Sequence, residues 1–332
     1  MDQERVEAYF RERMPEAEDL RISAFWRNVG GMSRQTYFAD LEWNEHGQRQ
    51  KKRFTVRMDH PGGLVVPVPL WWEYRCHQAL YGTEVPVAKA LWYEEDAPWE
   101  PGTSSYIRET VPGISAPTQL FAAGQEELRA KIGYEFVELL ARVHLLDWKK
   151  AGFDQFMEVP VDDRDCAMHR WKYWKGILDA NQVEPRPVAA GLYAWLRQNA
   201  PKKVDRVSLV WGDVGVGNFI FEDDRIVALT DWEMSHLGDP LKDWASALWR
   251  GVGNLLPKEE LFRHYEKVSG IKVNEETVHY YTVWINTEYA TICNFPLRSN
   301  YLGKDEKDAT IASLALNIVY GCLDAGLREI GY

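Results

Sequence analysis

The hydrophobic pattern of this chain changes period part-way along its length, and that change limits the folds open to it. Between Leu20 and Met58, Tyr37, Ala39, Leu41 and Trp43 alternate with Phe38, Asp40 and Glu42, and Phe54, Val56 and Met58 alternate with Arg53, Thr55 and Arg57. A period of two belongs to strands with one buried face. Asn44-Glu45-His46-Gly47 between them supplies the polar turn of an antiparallel hairpin. Pro67 to Tyr81 reads as a helix, and a further strand-like run covers Ser104 to Glu109. Beyond Pro112-Gly113 the spacing lengthens: Ile132, Phe136, Leu139, Leu140 and Val143, and later Ile311, Leu314, Ile318 and Cys322, recur at three and four residues, as on one face of a helix. Short apolar runs at Val207 to Trp211, Asn218 to Phe221 and Ile226 to Thr230 interrupt the helices. The expected fold class is therefore α+β and bilobal, with a small antiparallel-sheet lobe over residues 1–110 and a larger, mainly helical lobe over residues 111–332.

Composition narrows the function classes. A chain of 332 residues suffices for two domains or one bilobal unit, with a real core in either case. With 39 basic against 50 acidic side chains the net charge is −11, which argues against a nucleic-acid partner, since that role needs clustered cations to displace counterions. The charged start Met-Asp-Gln-Glu-Arg-Val-Glu is not a secretory signal, and no apolar run approaches the ~18 residues of a membrane span. A cytoplasmic protein with no membrane partner is expected. Cys76, Cys166, Cys293 and Cys322 are too far apart for a zinc-ligand pair and read as core thiols. The 15 tryptophans hint at aromatic-lined surfaces but name no ligand.

The chemistry is concentrated between Val210 and Trp244. Asp213 follows one apolar run, Asn218 opens the next after the glycine-rich stretch Gly212 to Gly217, and Asp231 ends the third. Phosphoryl transfer needs such a set, because a carboxylate must orient the attacking hydroxyl while oxygen ligands hold magnesium against the phosphates. The kinase catalytic loop places its Asn five residues after its Asp, as Asn218 stands to Asp213. Asp231 then takes the place of the metal-binding aspartate of a later strand, so Asn218 and Asp231 are the candidate Mg2+ ligands. Taken singly, each residue is also an ordinary turn former; the ordered set in strand-loop-strand context is what carries the reading.

Gly212-Asp213, Asn218, Asp231-Trp232-Glu233, Gly238-Asp239-Pro240 and Asp243 follow one another in an order that resembles the aminoglycoside phosphotransferase and choline kinase-like family. The branch it is most similar to occurs alone in bacteria or fused to acyl-CoA dehydrogenases in animals. The resemblance implies a protein-kinase-like fold and an ATP-dependent kinase acting on a small-molecule hydroxyl, with Asp213 as catalytic base. Trp211 stands where that family usually has a histidine that organises the loop. Asp239 and Asp243, near a helix start, are expected to cap backbone amides or brace the loop. Glu233 is open between a supporting role and a place in the site.

A kinase reading requires a nucleotide clamp upstream. Gly30 and Gly31, with Ser33, lie between two strand-like segments, in a sequence similar to the phosphate-covering hairpin of the resembling branch. Their backbone amides and the Ser33 hydroxyl are candidates for phosphate contact. Arg57 is the candidate phosphate-binding cation on the third strand, with Glu73 on the following helix as its partner. Glu109 lies in the connector, where backbone groups are expected to meet adenine. His144 reads as a core histidine on a helix that supports the loop.

The acceptor pocket is expected from residues 162–174 and 283–301, where Trp171, Trp174, Trp284, Asn294 and Phe295 cluster, although aromatic residues so spaced also build cores. The resemblance allows aminoglycosides or other antibiotics, choline-like amines, or hydroxy acids and hydroxyacyl-CoA, and the branch favours the last group. A catalytically dead binding module of the same fold is the competing reading, kept open by Trp211 and Arg57. A dinucleotide-binding oxidoreductase is disfavoured, because Gly212, Gly215 and Gly217 give GxxGxG rather than GxGxxG and no βαβ pattern surrounds them. A monomer or homodimer is expected.

Overall fold

The computed structural model describes residues 1–28, 34–60, 67–115, 117–182, 184–301 and 309–332. They form two compact units, Met1–Tyr81 with Ala88–Val111, and Gly82–Val87 with Pro112–Tyr332.

The first unit is built on a five-stranded antiparallel sheet. Its strands are β1 (Glu18–Asn28), β2 (Arg34–Glu45), β3 (Gln48–Asp59), β4 (Ala90–Glu94) and β5 (Ser105–Glu109), in the order β1-β2-β3-β5-β4. The β2–β3 turn is only His46-Gly47, with φ of 51° and 76°. Two left-handed residues make the turn whose twist matches the flanking strands, which locks the register Ala39 to Phe54 and Tyr37 to Val56. Ala39, Leu41, Phe54, Val56 and Met58 face the core. Helix α1 (Gln3–Arg13) closes that core with Val6, Tyr9 and Phe10, and the Asp2 carboxylate caps it by accepting from the Glu4 and Arg5 amides. Helix α2 (Leu70–Leu80) carries Glu73. The sequence reading found neither α1 nor β4. The first buries only Val6, Tyr9 and Phe10 among eleven mostly charged residues, and every residue of the second is half-buried, so no alternation marks it.

The second unit is mainly helical: α3 (Pro117–Leu120), α4 (Glu126–Leu145), α5 (Asp165–Asn181), α6 (Pro187–Asn199), α7 (Leu241–Trp249), α8 (Lys258–Ser269), α9 (Glu275–Ile292), α10 (Asn294–Tyr301) and α11 (Ala309–Glu329). Helix α9 is buried along most of its length and packs against α6, α7 and α11. Four short strands sit among the helices as two separate antiparallel ribbons. β6 (Ser208–Val210) pairs with β9 (His236–Gly238), and β7 (Phe219–Glu222) pairs with β8 (Arg225–Leu229). The segment Gly82–Val87 joins this unit because the Leu229 amide donates to the Pro86 carbonyl at 2.8 Å.

Many tryptophans prove to be core. Trp174, Trp211, Trp232 and Trp244 are fully buried, and Trp284 nearly so, which removes Trp174 and Trp284 from any open aromatic surface. The four cysteines are buried free thiols. Among the described residues no helix is long and apolar enough to cross a membrane.

Phe10 is wholly buried, its ring 5.2 Å from that of Phe54 and 5.9 Å from that of Trp92. Phe10→Ala is expected to cost about 3–5 kcal/mol, read as a lower urea midpoint. An unchanged midpoint would show that α1 contributes nothing to the fold.

Candidate functional site

The loop from β6 to β7 is fixed from beneath by one carboxylate. Asp243, fully buried near the start of α7, accepts the Trp211 amide at 2.7 Å and the Gly212 amide at 2.8 Å. His144 Nε2 lies 3.0 Å from the same carboxylate, and its Nδ1 lies 2.6 Å from the Tyr265 hydroxyl. Donation from Nε2 to Asp243 leaves Nδ1 to accept from tyrosine, so both ring nitrogens are satisfied. Gly212 has φ of 92°, and a Cβ there would stand 2.3 Å from the Met234 carbonyl oxygen, so only glycine fits. Asp239 caps α7 by accepting the Leu241 amide, and burial pushes its carboxyl up to about 7.

Asp213 projects from this braced loop with its side chain 16 % exposed. Asn218 Nδ2 donates to both its backbone carbonyl and its Oδ2, each at 2.7 Å. Arg250 Nη1 donates to Oδ1 at 2.8 Å, and the Tyr289 hydroxyl donates to the same oxygen. Burial pushes the Asp213 carboxyl up from its usual range, while Arg250, Tyr289 and Asn218 favour its ionised form. Asp231 lies two residues past β8 in the left-handed region, φ 57°, where the chain turns into a short 3₁₀ segment, Trp232–Met234. Two bonds hold the residue before it: the Thr230 amide donates to the Asn218 carbonyl at 2.8 Å, and Trp211 Nε1 donates to the Thr230 carbonyl at 2.8 Å. The Trp211 and Trp232 rings stack, centroids 5.4 Å apart. Glu233 is buried.

In the first unit, Arg57 Nε donates to Glu73 Oε2 at 3.0 Å, and the Tyr106 hydroxyl donates to Oε1 at 2.9 Å. Arg34 Nη1 lies 3.5 Å from the same carboxylate and its Nε donates to Asp59. Burial acts to raise the pKa of Glu73, but Arg57 and Arg34 more than offset it and hold the carboxyl below the usual range. The Glu109 amide is taken by the Lys89 carbonyl, and its carboxylate lies 2.7 Å from Lys52 Nζ. Gly30, Gly31 and Ser33 lie outside the described residues.

The model of the phosphotransferase enzyme family matches residues 27–272. This chain belongs to that family. A curated relative, rat (Rattus norvegicus) acyl-CoA dehydrogenase family member 11, is 27 % identical over 283 residues, covering 83 % of this chain and 34 % of its own length. The chain thus spans about a third of such relatives. Among solved structures, a Ralstonia eutropha JMP134 protein, by inference an aminoglycoside phosphotransferase, matches with a TM-score of 0.70 and 22 % identity over 99 % of this chain and 98 % of that one. A thermostable mutant of aminoglycoside phosphotransferase APH(4)-Ia, in ternary complex with AMP-PNP and hygromycin B, matches with a TM-score of 0.57 and 14 % identity over 97 % and 98 %. The phosphotransferase fold of this chain is the bilobal, protein-kinase-like α+β architecture.

Sequence reasoning grouped Asp213, Asn218 and Asp231, and paired Arg57 with Glu73. It missed Arg250, Tyr289 and Arg34. Arg34 directly follows the Gly30–Ser33 stretch, so its position was a usable signal; Arg250 and Tyr289 reach Asp213 from 37 and 76 residues away, and nothing local marks them.

Asp243→Ala leaves two buried loop amides and the His144 ring without their acceptor. At about 1–3 kcal/mol per orphaned donor, the variant is expected to lose several kcal/mol in denaturant unfolding. A loss below ~1 kcal/mol would show that the loop is held by other means.

Proposed function

We propose that this phosphotransferase moves the γ-phosphoryl group of ATP to a hydroxyl of a small molecule. The observation that carries the reading is the Asp213–Asn218 pair, joined at 2.7 Å and tied through the Thr230 amide to Asp231. In this reading one carboxylate serves the hydroxyl, and two oxygen-bearing side chains of the same braced loop system serve a cation.

The donor set fits magnesium. Asn218 Oδ1 and the Asp231 carboxylate are hard oxygen ligands, few in number, as suits an ion that keeps several waters. When bound, magnesium supplies charge neutralisation on the phosphates. Asp213 orients the acceptor hydroxyl and takes its proton as the oxygen bonds to the γ-phosphorus. The bond from γ-phosphorus to the bridging oxygen breaks at the same time, and ADP leaves with that electron pair. Asn218 Nδ2 and Tyr289 fix the Asp213 carboxylate so that it need not reorganise during the step. Arg57, held by Glu73, is the cation for the nucleotide phosphates. Gly30, Gly31 and Ser33 supply further phosphate donors, and the connector at Glu109 backbone contacts to adenine.

The acceptor reading rests on kinship. The shared segment of acyl-CoA dehydrogenase family member 11 favours a hydroxy acid or hydroxyacyl-CoA. The hygromycin B complex of APH(4)-Ia keeps polyhydroxylated antibiotics as the second class to test.

Asp213→Asn is expected to lower kcat by about 10²–10⁴-fold in magnesium-dependent ADP release, with the KM for ATP changed by less than about threefold. Asp231→Ala should abolish magnesium-dependent nucleotide binding in calorimetry. A parent enzyme that releases no ADP with any hydroxylated acid, thioester, amine or antibiotic would leave the binding-module reading in its place.

A further inference from the structure

Arg250 stands where α7 stops. Its amide donates to the Ser246 carbonyl at 2.9 Å, and Gly251 then turns the chain with φ of 85°. Its stem crosses Gly215 so closely that a Cβ there would lie 2.4 Å from Arg250 Cβ and 2.6 Å from Nε. This path delivers the guanidinium to the catalytic loop. Nη1 donates to Asp213 Oδ1 at 2.8 Å and to the Tyr289 hydroxyl at 3.1 Å, and Nη2 donates to Asn218 Oδ1 at 3.4 Å. The Tyr289 hydroxyl in turn donates to Asp213 Oδ1. Its ring lies against that of Trp249, centroids 4.6 Å and planes 15° apart, which fixes where the hydroxyl points. Asn218 Nδ2 donates to the other carboxylate oxygen, Oδ2, at 2.7 Å.

These bonds treat the two oxygens of Asp213 unequally. An ionised carboxylate offers about four acceptor sites, two on each oxygen. Arg250 and Tyr289 take both on Oδ1, whereas Asn218 takes one on Oδ2, and among the described residues no further donor reaches Oδ2. The side chain is 16 % exposed, so that last site can be approached from outside. The planar guanidinium also spans two partners. Arg250 bonds to Asp213 and Asn218, and Asn218 bonds to Asp213, so three side chains close a ring in which none can turn without breaking a bond. The bond between guanidinium and carboxylate, charged on both sides, is the strongest link in it.

We propose that Arg250 is a positioning residue for phosphoryl transfer: with Tyr289 it saturates Asp213 Oδ1, so that the acceptor hydroxyl binds, and gives up its proton, at Oδ2. The inference rests on the reading of Asp213 as the base, and adds which oxygen works and what aims it. A carboxylate free to rotate would have to be oriented in every turnover, and the closed ring removes that step. Arg250 acts through Asp213 and not on the nucleotide, so its loss falls on kcat.

The test measures magnesium-dependent ADP release by the full chain, with the melting temperature of each variant recorded beside it. Arg250→Met is expected to lower kcat by about 10²-fold while the KM for ATP changes by less than about threefold. Arg250→Lys should recover part of the loss, since an ammonium keeps the charge but cannot span Asp213 and Asn218. Tyr289→Phe, which keeps the ring on Trp249, should lower kcat as well. Combined with Arg250→Met, it should cost less than the product of the two separate losses, because both donors serve one oxygen. If Arg250→Met does not fold, Arg250→Lys decides: a kcat about tenfold below the parent supports the assignment, and an unchanged kcat overturns it. A raised KM for ATP with kcat intact would place Arg250 on the nucleotide, keeping the kinase and overturning its role toward Asp213. No ADP release by the parent with any acceptor would remove the kinase reading and this assignment with it.

Discussion

A carboxylate sealed from water is costly unless every oxygen is spoken for, and Asp243 meets that condition by accepting from two consecutive loop amides and from His144. Consecutive amides converge on one side chain only where the backbone between them bends, and the positive φ at Gly212 provides that bend. The direction in which Asp213 leaves the core is set there. So is the position of the Trp211 indole, whose bond to the Thr230 carbonyl carries the same constraint to Asp231.

Helix α7 acts on this loop from both of its ends. Near its first turn Asp243 holds the backbone from below, and just past its last residue Arg250 reaches the Asp213 carboxylate. Nine helical residues cover about 13 Å, so one rigid element spans the loop and joins its anchor to its charge partner. Gly215 is needed where they cross, since a Cβ there would meet Arg250 Cβ at 2.4 Å. Gly212 and Gly215 therefore answer to packing by Met234 and Arg250.

Local pattern was enough for much of this. The β2–β3 hairpin, α2, α4 and the Asp213–Asn218–Asp231 order are properties of neighbouring residues, and the sequence displays them directly. The Arg57–Glu73 pair was legible because a strand and the helix after it form one short unit. Pairing across long separations was not: β6 bonds to β9, beyond Asp231, so the expected single strand-loop-strand insert is two ribbons. Arg250 and Tyr289 belong to helices whose apolar pattern reports burial but not which polar side chain faces the loop.

Trp211 has a meaning beyond its packing. An indole carries one N–H and has no second protonation state in water, so the strut it forms to Thr230 is a donor under all conditions. An imidazole at that place would alternate between one donor and two as it titrates. With tryptophan there, the loop has given up a protonatable element, and its shape on that side is insensitive to the acidity of its surroundings.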